Sequence, residues 1–505
     1  MSMTEDDAGR IWAATYPNSG VVCYDPASGD LRDYGHVYAQ NWPQYQRSLA
    51  ADDTGWIYFA VGNTASQIIA LDPQSGKAAP LLADDERRQG TATLYRDLDG
   101  KVYAAALAGD DAHWLALHGG EATRINKPAA PREKPIITGS QGLFHRQFPD
   151  GRLLKTCDLT TRTIAIEDPK TGAVLESAFD YTSDGAHLMG LCDAPDGTIV
   201  GGTAFPMNGF VYEPAKDQWT SRSALGQWNT IANAGDRMFI GAYIQGMLIE
   251  WDTTAPWTAT TEKTGPDRDK CNPRFITECE PTINRPHCLL VHPDGRHIVL
   301  AGTPGYGYTG GGLLIYNRRT GEHRLLKHTD LLPDHSTMSL VALADGNLLC
   351  GSTIGAGTGG EVKAKQAELY ILDLKTRRII WHEPEVPDAP EYTAMAMSPA
   401  GLAYCIVAAE RFVVFDPQAR KVVHNVDIKA DFGGSTYQQG PRKIVFDDKG
   451  LGYLLLAKGI VRIDPETWAL KLMAESPVPV GPGGAYLSGR IYFASASHLH
   501  SYELP

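Results

Sequence analysis

Arg285-Pro286-His287 places a permanent cation two residues from a titratable imidazole, and His335 and His187 stand at equivalent positions of other copies of a repeat. Convergent Arg, His and Tyr side chains are what β-elimination beside a carboxylate requires. A cation neutralises the carboxylate and so acidifies the neighbouring C–H. A His or Tyr removes that proton, and a Tyr or His protonates the leaving oxygen. In such a site Arg285 holds the carboxylate, and His287 or His335 is the base. Tyr306 or Tyr308, set among glycines in TPGYGYTGGG (303–312), is the acid or a ring-stacking platform.

Other residues at the start of successive strands belong to the same palette: Gln227, Trp228 and Asn229, Tyr392 and Thr393, and Gln438, Gln439 and Arg442. A solvated loop favours Lys, Glu, Asp and Ser, whereas Gln, Asn, His, Arg and Tyr are the hydrogen-bonding set of a sugar or other small polar ligand. Lys363, in TIGAGTGGEVKAKQAE (353–368), is a cationic finger that could reach over the same mouth. The bland alternative stays open: these residues satisfy one another and order water around an axis.

The elements that must position them come from a repeat. A turn of the form x-D/P-x-G recurs as DDAG (6–9), DDTG (52–55), DLDG (97–100), FPDG (148–151), APDG (194–197), HPDG (292–295), LADG (343–346), SPAG (398–401) and DDKG (447–450). Weaker copies, AGDR (234–237) and LSGR (487–490), fill the gaps, so spacings run from 40 to 58 residues. Each turn lies between two runs with period-2 alternation. A third run ends in a second turn such as ALDPQSG, IEDPKTG, VFDPQAR or RIDPETW. In these turns Pro presets φ and Gly accepts positive φ. A fourth short strand closes the unit. Four antiparallel strands repeated about eleven times predict an all-β chain of β-propeller blades.

Eleven blade-like units fit one large ring, or a seven-bladed ring plus additional blades. We divide them into an N-terminal group of four (1–182) and a C-terminal group of seven (187–505), with 252–284 as a long irregular insertion. The turns between first and second and between third and fourth strands are short and stereotyped. The other connections are long and varied, so the working face is expected there.

Bulk properties narrow the function. The 505 residues exceed what one hydrophobic core usually supports, which suits an array burying its core unit by unit. A net charge of −13 argues against nucleic acid, which needs a concentrated basic stripe. It leaves room for a polyanionic sugar held by a local cationic pocket. No apolar run reaches membrane-span length and the N-terminal residues carry no secretory signal. The chain is expected to be cytoplasmic, or periplasmic or secreted if an export signal has been removed. No cofactor is firmly indicated. His187, His287 and His335 could share a divalent metal ion. Cys271, Cys279 and Cys288 with His287 could form a zinc site, although their spacing is non-standard and plain thiols are the simpler reading.

The third-strand endings quoted above resemble the PQQ-like and YVTN-like repeats of bacterial propellers. A quinoprotein would carry a tryptophan at each blade end; Trp381 fits and most units have none. In architecture and residue types the chain also resembles the propeller polysaccharide lyases that act on oligogalacturonate and ulvan. That resemblance implies a carbohydrate-active propeller binding an acidic oligosaccharide or other small polar ligand, with elimination as its reaction. A non-catalytic scaffold for a protein or peptide is the reading from a different class.

Overall fold

A computed structural model describes residues 2–505 other than 47, 98, 107–112, 129–147, 149, 160, 183, 259–269 and 436–442. Among these residues strand dominates and helix is confined to single turns such as Lys429–Phe432. Eleven antiparallel sheets follow one another, each made of strands consecutive in sequence. Nine have four strands. The fourth sheet (from Leu153–Asp158) and the last (from Ala485–Leu487) have three. The chain is a β-propeller protein, as its repeat predicts.

The recurrent turns form for visible reasons. In HPDG, Gly295 sits at φ +67°, while Asp294 Oδ1 accepts the N–H groups of Arg296 at 2.8 Å and His297 at 3.0 Å. Asp447 does the same for Lys449 and Leu451, both at 2.9 Å. At the second turn Asp464 Oδ1 accepts from the N–H of Glu466 at 3.0 Å and Thr467 at 2.8 Å, which holds its carboxyl below the usual range. Each motif aspartate thus supplies acceptors to turn N–H groups that the strand ladder leaves over.

The chain divides into two compact units. The first comprises residues 1–183 with 306–308 and 358–361. Its inner strand Ser2–Glu5 packs on Ser48–Ala51, which packs on Thr93–Arg96. The second comprises 184–305, 309–357 and 362–505. Its seven sheets begin with His187–Asp193, Gln227–Asn233, Arg285–Val291, Ser336–Ala342, Tyr392–Met397, Ile444–Phe446 and Ala485–Leu487. Each of these inner strands packs on the next, and the last returns to pack on His187–Asp193. Arg274–Thr277 is the fourth strand of the second of these sheets, so part of 252–284 is regular structure despite its charged and proline-rich surroundings.

The core lies as slabs between adjacent sheets, one holding Cys192, Val200, Trp228 and Ile240, another Leu349, Leu369, Tyr392 and Cys405. Close approach depends on glycines in the second strands. A Cβ on Gly202 would collide with Trp228 of the following sheet. One on Gly351 would lie 2.5 Å from Tyr392 Cβ and 2.9 Å from Ser339 Oγ. Overpacking of this kind costs about 1–3 kcal/mol. Gly351→Ala is therefore expected to lower the thermal midpoint by roughly 2–8 °C. An unchanged midpoint in calorimetry would show that the two sheets can part without cost.

Candidate functional site

Inner strands of the second unit share an irregularity. Their pairing with the second strand slips between Leu188 and Leu191, Trp228 and Thr230, Pro286 and Cys288, Thr337 and Ser339, and Tyr392 and Ala394. A bulge leaves its extra residue out of the ladder and re-aims its side chain. The residues so displaced include Gly190, Asn229, His287, Met338 and Thr393, and all five line one cavity of about 250 Å³. Lys443, immediately before the sixth inner strand, lines it too. Apolar neighbours such as Leu191 and Leu340 fill the wall between them.

The polar members are anchored. Asn229 accepts from Gln227 Nε2 at 2.7 Å and reaches the carbonyl of Pro286 in the next sheet at 3.4 Å. His287, 5% exposed, has Nε2 3.0 Å from Thr303 Oγ1. Thr393 donates to Glu391 at 2.8 Å and accepts from the N–H of Ala409 at 2.9 Å; burial pushes the Glu391 carboxyl up. Lys443 is fully buried and donates from Nζ to the carbonyl of Gly481 at 2.5 Å. Removal from water pulls its amine down to about 7. The cavity therefore offers an imidazole, an amine poised between charge states at neutral pH, an amide and a hydroxyl. Such a set can hold a small anionic or hydroxylated group and move a proton.

Of the residues read from sequence, His287, Asn229 and Thr393 line the cavity, with Gln227 behind Asn229. Trp228 and Tyr392, 1% and 0% exposed, are wedges in the core between sheets. The Arg285 guanidinium lies over the Tyr243 ring, 5.1 Å from its centroid, and is not among the lining residues. His187 is exposed at the start of its strand. His335 has Nδ1 2.8 Å from the carbonyl of Pro333 and Nε2 2.9 Å from that of Gln366, so both ring nitrogens face acceptors. Tyr306 and Tyr308 group with the first unit, where Tyr306 rests 5.9 Å from Tyr45; Lys363 is exposed. Gln438, Gln439 and Arg442 lie outside the described residues.

The three histidines thus do not share the cavity. Among the described residues the close group of metal-ligating side chains is His292, Asp294 and His297. Cys279 is buried in the core, where desolvation pushes its thiol up to about 12, while Cys288 lines the cavity. Sequence reading passed over Lys443; its one signal is a place directly after Arg442, in the stretch that leads into an inner strand.

Lys443 should leave a mark on stability. Its amine is protonated up to about pH 10.5 when exposed but only to about 7 when folded. Between those values the unfolded chain carries a proton that the folded chain lacks, so this group makes stability rise with pH. The slope is about 1.4 kcal/mol per pH unit. Chemical denaturation of wild type and Lys443→Met at pH 7, 8 and 9 is expected to show the wild type gaining on the variant at each step. A constant difference would mean that the amine keeps its ordinary affinity for protons.

No family model matches the chain, and none of the curated proteins does. Among solved structures, it is similar at 12% identity to two structures of an extracellular domain from B. thetaiotaomicron, described as a one-component and as a hybrid two-component system, with TM-scores of 0.44 and 0.45. Those matches cover 99% of this chain, which spans 64% of the length of theirs. It is also similar, at 13% identity and a TM-score of 0.47, to the β-propeller domain of Cps50 (Swd1) from Myceliophteria thermophila, over 64% of this chain and 98% of that one. Among the described residues no helix is long and apolar enough to cross a membrane.

Proposed function

We propose that residues 187–505 form one seven-bladed ring whose central cavity takes a single acidic sugar unit at the end of an oligosaccharide, or a carboxylate of similar size. The observation that carries this reading is the convergence of Lys443, His287, Asn229 and Thr393, delivered from four different sheets, on one small cavity. Sites for drug-sized ligands usually measure about 300–1,000 Å³, so a volume of about 250 Å³ suits one unit rather than a chain. The repeats are read as the PQQ-like and YVTN-like kind, and the compartment as the cytoplasm. Nucleic acid and membrane are not proposed as partners.

In this site Lys443 takes the place first given to Arg285. A carboxylate beside its amine restores the ammonium that burial disfavours, and the ion pair draws electron density from the adjoining C–H. His287 then removes that proton. The electron pair forms the new carbon–carbon double bond and the bond to the leaving oxygen breaks. His287, now imidazolium, can return its proton to that oxygen. A binding platform without chemistry is supported by a separate observation: Phe205 and Ile244, on the connections between second and third strands of the sheets beginning with His187–Asp193 and Gln227–Asn233, are 72% and 42% exposed.

Calorimetric titration with a uronic acid monomer, alongside ultraviolet detection of unsaturated products from uronate polymers, tests both readings. Binding is expected to weaken as pH rises through about 7, where Lys443 loses its proton. Lys443→Met should weaken it at least tenfold and abolish the pH dependence. His287→Ala should keep binding and lose product formation. Binding without product in the wild type would leave a receptor rather than a lyase. No binding of any uronate, or equal binding by Lys443→Met, would remove the site.

A further inference from the structure

The turn between the first two strands of the sheet starting at Arg285 departs from its repeat. Other copies of the motif begin with Asp, Ala, Leu, Ser or Phe, and the residue two positions after the glycine is most often Ile, Leu or Val; here HPDGRH has histidine in both places. His292 accepts a turn N–H as the first-position aspartate does in other copies, whereas nothing in the turn calls for an imidazole at His297.

Their geometry is specific. Donor atoms of His292, Asp294 and His297 all lie within 4.8 Å of one another. His297 Nδ1 is 2.7 Å from Asp294 Oδ2, and His292 Nδ1 is 3.2 Å from Asp294 Oδ1. His292 is 4% exposed, and its Nε2 lies 3.1 Å from the carbonyl of Gly346, in the matching turn of the next sheet. A carbonyl can only accept, so Nε2 carries a hydrogen, and a ring holding that single hydrogen presents a lone pair at Nδ1. That lone pair is 3.3 Å from the N–H of Asp294 and also faces its carboxylate oxygen. Nitrogen and oxygen lone pairs that meet at such a distance are bridged by a shared cation, either a proton or a metal ion. A carbonyl fixing the far nitrogen of a ligating histidine is also the usual outer support of a metal site.

We propose that His292, Asp294 and His297 form a site for a divalent transition metal of the zinc class, with two imidazoles and one carboxylate as ligands and the remaining positions open to water. The side chains of Asp294 and His297 are 32% and 27% exposed, so an ion reaches them from solvent. On binding, His297 moves its ring proton from Nδ1 to Nε2 and gives the Nδ1 lone pair to the metal. Nitrogen and oxygen donors in this ratio suit Zn²⁺ or Co²⁺ and disfavour Mg²⁺ and Ca²⁺.

The test uses the full chain with Zn²⁺ by calorimetry and Co²⁺ by visible absorption, in wild type and His297→Leu. Leucine stands at the equivalent place in FPDGRL, so the variant should fold. Expected are one Zn²⁺ per chain, a raised thermal midpoint, and Co²⁺ bands in the visible without thiolate charge transfer. In His297→Leu affinity should fall at least tenfold, with the metal-free midpoint no lower than wild type. A lack of Zn²⁺ and Co²⁺ binding, equal affinity in the variant, or a thiolate signature pointing to the cysteines would each overturn the proposal. None of these outcomes bears on the uronate cavity, which is probed with a different ligand.

Discussion

Two pairs of adjacent sheets of the second unit meet where one offers a glycine to the bulk of the next: Trp228 and Tyr392 occupy the space that a side chain on Gly202 or Gly351 would need. This contact explains why the polar site is small. With the large aromatics drawn outward as wedges, the inner strands close in, and what remains between them is a cavity of about 250 Å³. The same packing fixes the sheets laterally, so residues from four of them can hold one arrangement without a loop to clamp them. Sites built on strands are more precise than sites built on loops.

The sequence carries the architecture openly because turns are local. A glycine at positive φ, in most copies beside an aspartate that accepts turn N–H groups, announces itself within four residues, and eleven such turns leave little freedom in fold class. The site is less legible because its position depends on pairing. Side chains alternate along a strand, so one extra residue exchanges the faces. No residue type marks a bulge: Gln227, Trp228 and Asn229 look alike as candidates, as do Tyr392 and Thr393, and only the bulged pairing sends Asn229 and Thr393 to the cavity and Trp228 and Tyr392 into the core, while Lys443, just before the sixth inner strand, goes unnamed. His335 looks equivalent to His287 on the page. Yet it sits one residue before its strand begins, among backbone carbonyls, while His287 lies at the bulge itself. Arg274–Thr277 was hidden for another reason: although Phe275 and Ile276 are buried, four residues are too short a run to stand out beside the charged, proline-rich residues before them.

Net charge misleads at this scale in an instructive way. The chain carries −13, which governs solubility and long-range encounter. The cavity is governed instead by desolvation around one amine. Burying Lys443 costs stability that an apolar side chain of similar volume would not. Its retention of a donor contact to the Gly481 carbonyl orients the amine without neutralising it.

Cavity and histidine turn share one strand. His287 and His292 are separated by five residues of the chain that runs through Arg285–Val291, which at about 3.3 Å per residue sets them on the order of 15 Å apart. At that separation a metal held by His292, Asp294 and His297 cannot polarise a ligand beside His287. Its effect would be mechanical: it would tie the turn to the carbonyl of Gly346, and so one sheet to the next, at the end of the strand opposite the base. Metal and anion should accordingly act as independent ligands. The first would govern how firmly the sheets beginning with Arg285–Val291 and Ser336–Ala342 are joined, the second what is bound in the cavity.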